Sequence, residues 1–344
     1  MRIYKRSIFS TFVALALAPA LVLAVPLPSS DYLSFAMLAG EYVSTGAGTK
    51  VTGDAGAVSY ITTGANSTGL GSYFAGGYIT TGANFVSSGS NYATSYITTG
   101  AGYQSTGSNY SGSYIETGAN TANGGSNYAA SYITFGAGSS SLGNYAYASF
   151  SNPSTVNSAL SQLSVEQNLL KSIAGGKTLA ATMGGIQTLN AGVYNATALT
   201  TAAGTHLTLD CQSNSNASWL FNIDTYLSTG AGTIIDTAHC AQGATVVWNT
   251  GGYASLGANN AVVGTVLAGT YISTGADTTS GYLLAKGYVT LGTNGTVSCL
   301  NCVVVRAVPE PETYALLLGG LGMLRLKLRS RKNTSKPQLF RVKQ

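Results

Sequence analysis

The six residues 60–65, "YITTGA", return unchanged at 78–83 and 96–101, and as "YIETGA" at 114–119 and "YITFGA" at 132–137. "YVSTGA" at 42–47 extends the series backward by the same 18-residue step. A fixed period this short means one backbone unit made many times, each unit stacking on the next to bury an apolar face it cannot bury alone. Aligned on the tyrosine, the second place is Val43, Ile61, Ile79, Ile97, Ile115 and Ile133, always β-branched. The fifth and twelfth places are glycine in all six copies, from Gly46 to Gly136 and from Gly53 to Gly143. Glycine at fixed intervals suggests a positive φ or a tight corner in every unit. Short strands between such corners make one turn of a β-solenoid per repeat.

Divergent copies near the other end, "YLSTGA" (226–231), "YASLGA" (253–258), "YISTGA" (271–276) and "YVTLGT" (288–293), separate the two sides of the strand. The fourth place is threonine in most copies but Phe135, Leu256 and Leu291 in others. The third place is Ser44, Thr62, Thr80, Thr98, Glu116, Thr134, Ser228, Ser255, Ser273 and Thr290, never apolar. Side chains alternate along a strand. The second, fourth and sixth places are therefore expected inside, and the first and third outside, as a Tyr column beside a Thr/Ser column. The "GSNYATS" stretches, with Tyr92, Tyr110 and Tyr128, offer a second outward face.

Between the two sets, Val156, Ala159, Leu160, Leu163, Leu170, Ile173 and Ala174 recur at helical spacing. Asn152 can cap, Pro153 fits a first turn and Gly175-Gly176 end the run. The spacing predicts a helix over 153–175, packed along the flank of the coils, with an exposed partner-binding helix as the alternative.

Charged residues make up only 8% of the 344. Arg and Lys concentrate at the two ends. The body keeps only Lys50, Lys171, Lys177 and Lys286 against nine carboxylates, so the basic net charge of +5 points to no nucleic-acid partner. Residues 1–24 read as a signal peptide, a basic "MRIYKR" before an apolar run closing on Val22-Leu23-Ala24. Residues 25–305 are expected to form the solenoid domain, with 78–149 as extra repeats. Export favours disulfides, and Cys211, Cys240, Cys299 and Cys302 allow two, in any of three connectivities. They are also enough for one zinc site; disulfides are the preferred reading, with no metal and no cofactor.

Residues 308–332, "VPEPETYALLLGGLGMLRLKLRSRK", place Pro309-Glu310-Pro311 before an apolar stretch and a basic cluster. This resembles the PEP-CTERM sorting signal. The resemblance implies a Gram-negative bacterium, export with signal peptidase and exosortase as partners, transient anchoring in the inner membrane by the C-terminal segment, and delivery to the cell surface or its exopolysaccharide and biofilm. Arg325 shortens the apolar run below the ~20 residues that span a bilayer. The tail through 344 runs on past the usual end of the signal.

The segments 33–65, 184–223 ("GVY…LTLD…WLF") and 244–297 resemble the microbial ice-binding protein family. That resemblance implies a mostly β fold: a right-handed, discontinuous β-solenoid of triangular section with one long α-helix along its flank. It also implies binding to an ice crystal surface through one flat face, as in an antifreeze or an inhibitor of recrystallisation. The candidate residues are Thr62, Thr80, Thr98, Thr134, Ser228, Ser273 and Thr290, flanked by Tyr60, Tyr78 and Tyr96. The Tyr column also suits an alternative, an adhesin whose aromatic rings stack on an extracellular polysaccharide. No set of paired carboxylates supports an enzyme. Asp210, Asp236 and His239 could meet across coils by chance.

Overall fold

The computed structural model describes residues 31–148, 155–214, 216–240 and 244–298. The signal peptide, Cys299, Cys302 and the whole 306–344 segment lie outside the described residues.

Each repeat makes three short strands, for example Tyr60–Thr63, Thr68–Leu70 and Tyr73–Ala75, and every strand pairs in parallel with its counterpart in the next coil. The coils thus stack into a three-sided solenoid. One side is a twelve-stranded sheet built from the YITT strands. Along the stack these strands begin with Ile133–Phe135, descend through the repeats to Tyr42–Thr45, pass directly to Val289–Leu291, and continue down to Thr182–Met183. The chain therefore enters the stack in its middle. Val43 pairs with Ile61 on one side and with Val289 on the other. The first coil of the chain sits on its last, which makes the solenoid discontinuous.

The core explains the second place of the repeat. Val43, Ile61, Ile79, Ile97 and Ile115 are fully buried, each side chain stabilising the fold by about 1.5–3 kcal/mol on transfer alone. The sixth place departs from the expected alternation. Ala47 and Ala101 are exposed and Ala65 half-buried, because the strand ends at the fourth residue and the chain is already rounding the corner.

The fifth-place glycines have no positive φ. A Cβ on Gly64 would lie 2.2 Å from the carbonyl of Gly46, and one on Gly100 would lie 2.5 Å from the backbone of Gly82 and Ala83. Consecutive coils touch backbone to backbone here. The twelfth-place glycines do the same, Gly71 against Gly53 and Gly89 against Gly71. The left-handed residue is the seventh: Asn66, Asn84 and Asn120 at φ 55–56°, and Gly48, Gly102 and Gly138 at φ 69–74°. Asparagine and glycine tolerate that region best.

The two halves fill their interiors differently. Coils of the second half wider than 18 residues hold stacked aromatics, Phe221 on Trp248 at 3.9 Å and Tyr194 on Phe221 at 5.4 Å. The narrower repeats hold a buried ladder in which Asn91 donates to Asn109, Asn109 to Asn127 and Asn127 to Asn144, at 2.8, 2.8 and 3.0 Å. The "GSNYATS" stretches therefore turn their asparagines and Ala93 inward, leaving Tyr92, Tyr110 and Tyr128 as the outward residues.

The helix is shorter than its pattern, Thr155–Lys171, with residues 172–175 outside it and 153–154 outside the described residues. It lies along the solenoid flank. Val156, Ala159, Leu163 and Leu170 pack on Tyr32, Phe35, Leu38, Leu220, Val247, Leu267 and Leu284. Carbonyls of its last turn also accept from the scaffold: Asn249 Nδ2 donates to Gln167 O at 3.1 Å and Asn222 Nδ2 to Leu170 O at 2.8 Å. The helix carries the chain from the repeat half toward the far end of the stack.

Two expectations follow. Gly100→Ala should cost about 1–3 kcal/mol through overpacking of the coil contact. Gly185→Ala, at φ 70° with open space around it, should cost about 1–2 kcal/mol through φ alone. In urea melts, adding a conformationally permissive neighbour cannot rescue the first, because its cause is contact rather than torsion. Glu166 is buried under the helix, its Oε1 has no partner, and burial pushes its carboxyl up to about 7. The folded state thus holds the proton more tightly than the unfolded chain. Stability should be highest below about pH 4.5 for this group and fall as pH rises through 7, and Glu166→Gln should flatten that slope in a melting profile taken against pH.

Candidate functional site

The outward third place of the YITT strand forms one column along the entire twelve-stranded side. In register it runs Thr134, Glu116, Thr98, Thr80, Thr62, Ser44, Thr290, Ser273, Ser255, Ser228, Thr200 and Thr182. Every member but Glu116 carries a hydroxyl. At about 4.8 Å per rung the column is about 50 Å long. The structure brings all seven sequence-derived hydroxyl candidates into this one column, across the seam between the two chain halves. Neighbouring hydroxyls bond where they are close, Thr62 Oγ1 to Ser44 Oγ at 3.1 Å and Thr182 with Thr200 at 3.0 Å.

Thr200 and Thr182 were not among the sequence candidates. Their blocks, "ALTTAAG" and "ATMGG", have lost the tyrosine used for alignment, and the first has Ala202 where the repeats have their fifth-place glycine. Aligning on the third place, one residue after Ala181 and Leu199, finds both.

Several inward fourth-place threonines have a separate role. Thr45, Thr81, Thr201, Thr229 and Thr274 accept hydrogen bonds from the fifth-place glycine N–H of the adjoining coil, at 3.0–3.4 Å. They satisfy a backbone donor at the corner and leave the third-place hydroxyls facing solvent.

Beside the hydroxyl column runs an unbroken stack of ten tyrosines: 132, 114, 96, 78, 60, 42, 288, 271, 253 and 226. Ring centroids are 4.8–5.2 Å apart and planes within 7° of parallel. Each ring covers the face of the next, so the stack presents ring edges and hydroxyls to water. This corrects the expectation of an aromatic platform for sugars, since stacking on a sugar needs open ring faces. The tyrosines keep the side regular. They form ribs at the same pitch as the hydroxyls. Mutual proximity and partial burial hold the Tyr96 phenol above its ordinary range, desolvation contributing most and then Tyr78 and Tyr114; Tyr42 is raised likewise, by desolvation and then Tyr288 and Tyr60.

The other two sides change character between the chain halves; one of them carries a second stack in the repeats, Phe74, Tyr92, Tyr110, Tyr128 and Tyr145, at 4.9–5.0 Å. One is covered in part by the helix. On the other, positions in register run from Lys50 through Thr68 and Val86 to Gln104 in one direction, and include Ile234, His206 and Ile186 in the other. The Asp210, Asp236 and His239 group does not assemble: Asp236 pairs with His206 at 2.9 Å and His239 with Asp210 at 3.0 Å, on different parts of the strands. Of the four cysteines, Cys211 and Cys240 are bonded to each other. Among the described residues no three His, Cys, Asp or Glu side chains converge as metal ligands.

The ice-binding-like family model matches residues 37–297. The chain belongs to the ice-binding-like family. Residues 307–332 match the PEP-CTERM protein-sorting motif, at the position read from the sequence. Among solved structures, the ice-binding protein 1 domain of Shewanella frigidimarina aligns at TM-score 0.50 and 19% identity, covering 80% of this chain and 98% of that one. An ice-binding protein from the Antarctic ascomycete Antarctomyces psychrotrophicus aligns at TM-score 0.48 and 20% identity, over 79% of this chain and 97% of that one. An ice-binding protein from an Arctic yeast aligns at 0.48 and 16%, over 78% and 92%. No curated protein matches the chain. The Shewanella alignment concerns the fold, a β-solenoid with one flanking helix.

Proposed function

We propose that this member of the ice-binding-like family binds ice through its twelve-stranded side. The observation that carries the reading is the hydroxyl column, continuous and in register from Thr134 to Thr182 although it is assembled from two distant parts of the chain. Coil-to-coil hydrogen bonds set its pitch, so the side is rigid. Threonine adds a methyl to each hydroxyl, and the flanking Tyr edges continue the same spacing. A neutral, repetitive surface of this kind holds a first layer of water in a lattice, whereas charges fix water in other geometries. Among the outward first and third places only Glu116 carries a charge.

Export follows the two chain ends. A signal peptide over 1–24 and the sorting motif together support release at the cell surface of a Gram-negative bacterium, with signal peptidase and exosortase as processing partners and the 306–344 segment as a transient inner-membrane anchor. A solenoid domain over 25–305 is the unit that would meet ice outside the cell. The family supports a non-catalytic role. Binding to exopolysaccharide through stacked tyrosines has less support, because the rings cover one another.

The test is thermal hysteresis and crystal shaping by the purified chain. Thr80→Tyr with Thr98→Tyr interrupts the column in the middle of the repeats without touching the core. It should reduce hysteresis several-fold while leaving the melting temperature of the protein nearly unchanged. A parent chain that neither shapes ice nor shows hysteresis would falsify the reading.

A further inference from the structure

The coil stack ends abruptly at residues 132–148. In every lower coil of the repeat half the inward residues are sealed by the next layer, Ile115 and Asn127 at 0% exposure. In the last coil their counterparts are open: Ile133 and Phe135 are only half-buried and Asn144 and Ala146 are exposed. Both aromatic ladders also end here with an uncovered ring, Tyr132 at 44% and Tyr145 at 52% exposure. The buried asparagine ladder donates in one direction only and finishes on Asn144, leaving that amide as its last donor. Among the described residues the strands Ile133–Phe135 and Ser140–Ala146 each have a partner on one side alone. Natural sheets guard such edges with charge, proline or a covering segment. Residues 132–148, "YITFGAGSSSLGNYAYA", contain neither charge nor proline. The opposite end differs: Met183 is buried there and Lys177 brings a charge.

We propose that this end is an interface, and that its occupant is the same end of a second copy of the chain. The surface already fits a coil of its own kind, since the layer beneath it, 114–130, is a near-copy stacked upon it by the same contacts. A head-to-tail arrangement would set the open asparagine and the apolar core against Lys177, and such contacts propagate into filaments rather than closing. A two-fold axis through Thr134 closes. It pairs Ile133–Phe135 with itself antiparallel, so that Ile133 meets the partner's Phe135 and Phe135 meets the partner's Ile133. The same rotation lays strand 140–142 over the partner's 143–146, bringing Ser141 to the partner's Asn144, so that polar residues meet polar ones. An axis through either other side would set Ile133 and Phe135 against polar or small residues. In the chosen arrangement the two twelve-stranded sides lie in one plane, and the hydroxyl column runs on through Thr134 into the second copy.

Sedimentation equilibrium of the full chain, in the absence of ice, tests this separately from the functional reading. The parent should have twice the monomer mass. Phe135→Glu should reduce it to the monomer, and Ile186→Lys, at the far end, should remain dimeric. Thr134→Cys sits on the axis, where directly opposed Cβ atoms are about 4.5–5.5 Å apart. Mild oxidation should convert it to a covalent dimer on a non-reducing gel, while Thr182→Cys stays monomeric on the same gel. The cross-link does not depend on Phe135→Glu folding correctly. A parent that is monomeric up to its solubility limit, a dimer dissociated by Ile186→Lys but not by Phe135→Glu, or a Thr134→Cys chain that fails to cross-link would overturn the proposal.

Discussion

Everything in this molecule depends on coil-to-coil backbone contact at a fixed pitch. Parallel strands on all three sides hold each turn of chain about 4.8 Å above the last. At two corners the coils come so close that only glycine fits, Gly64 on Gly46 and Gly71 on Gly53. That contact locks lateral position as well as height. A residue type repeated in the sequence then becomes a straight column in space. The Ile column seals the core, several fourth-place Thr hydroxyls accept from glycine N–H groups, and the Tyr and Thr columns share one pitch on the outside.

The same constraint explains what could be read from the residues and what could not. The 18-residue period, the inward second and fourth places and the outward hydroxyls depend on local alternation, and the sequence displays all three. The seam does not. Nothing local says that Ser44 lies beside Thr290, because the pairing joins the first coil to the last and depends on the helix returning the chain to the far end. Glycine was legible as a corner residue, but its cause lay in the neighbouring coil and not in its own φ. The positive φ belongs to Asn66 and its equivalents, which the word "YITTGA" stops one residue short of including. The asparagines of "GSNYATS" look like surface residues by type. They are buried because each satisfies the next, which only stacking makes possible.

The tyrosines show why a column must be judged by orientation as well as position. Ten aromatic residues on an outer surface suggest a ligand platform, yet parallel rings at about 4.9 Å leave no face open between the ends of the stack. They stabilise the sheet edgewise and extend its regular texture. The recurring threonine beside them, and not the more conspicuous aromatic, is what a lattice of water would meet. The 18-residue repeats add their six-residue words to the same surface as the second-half coils.

The central claim is that repeats and second-half coils form one ice-binding surface. It is tested most directly by removing residues 78–131, three whole repeats, which lets the last coil stack on the coil that begins at Tyr60. Thermal hysteresis is then compared with the parent at equal molar concentration. A column shortened from twelve rungs to nine should give clearly lower hysteresis with the folded structure and crystal shaping retained. Hysteresis equal to that of the parent in a folded deletion chain would contradict the account.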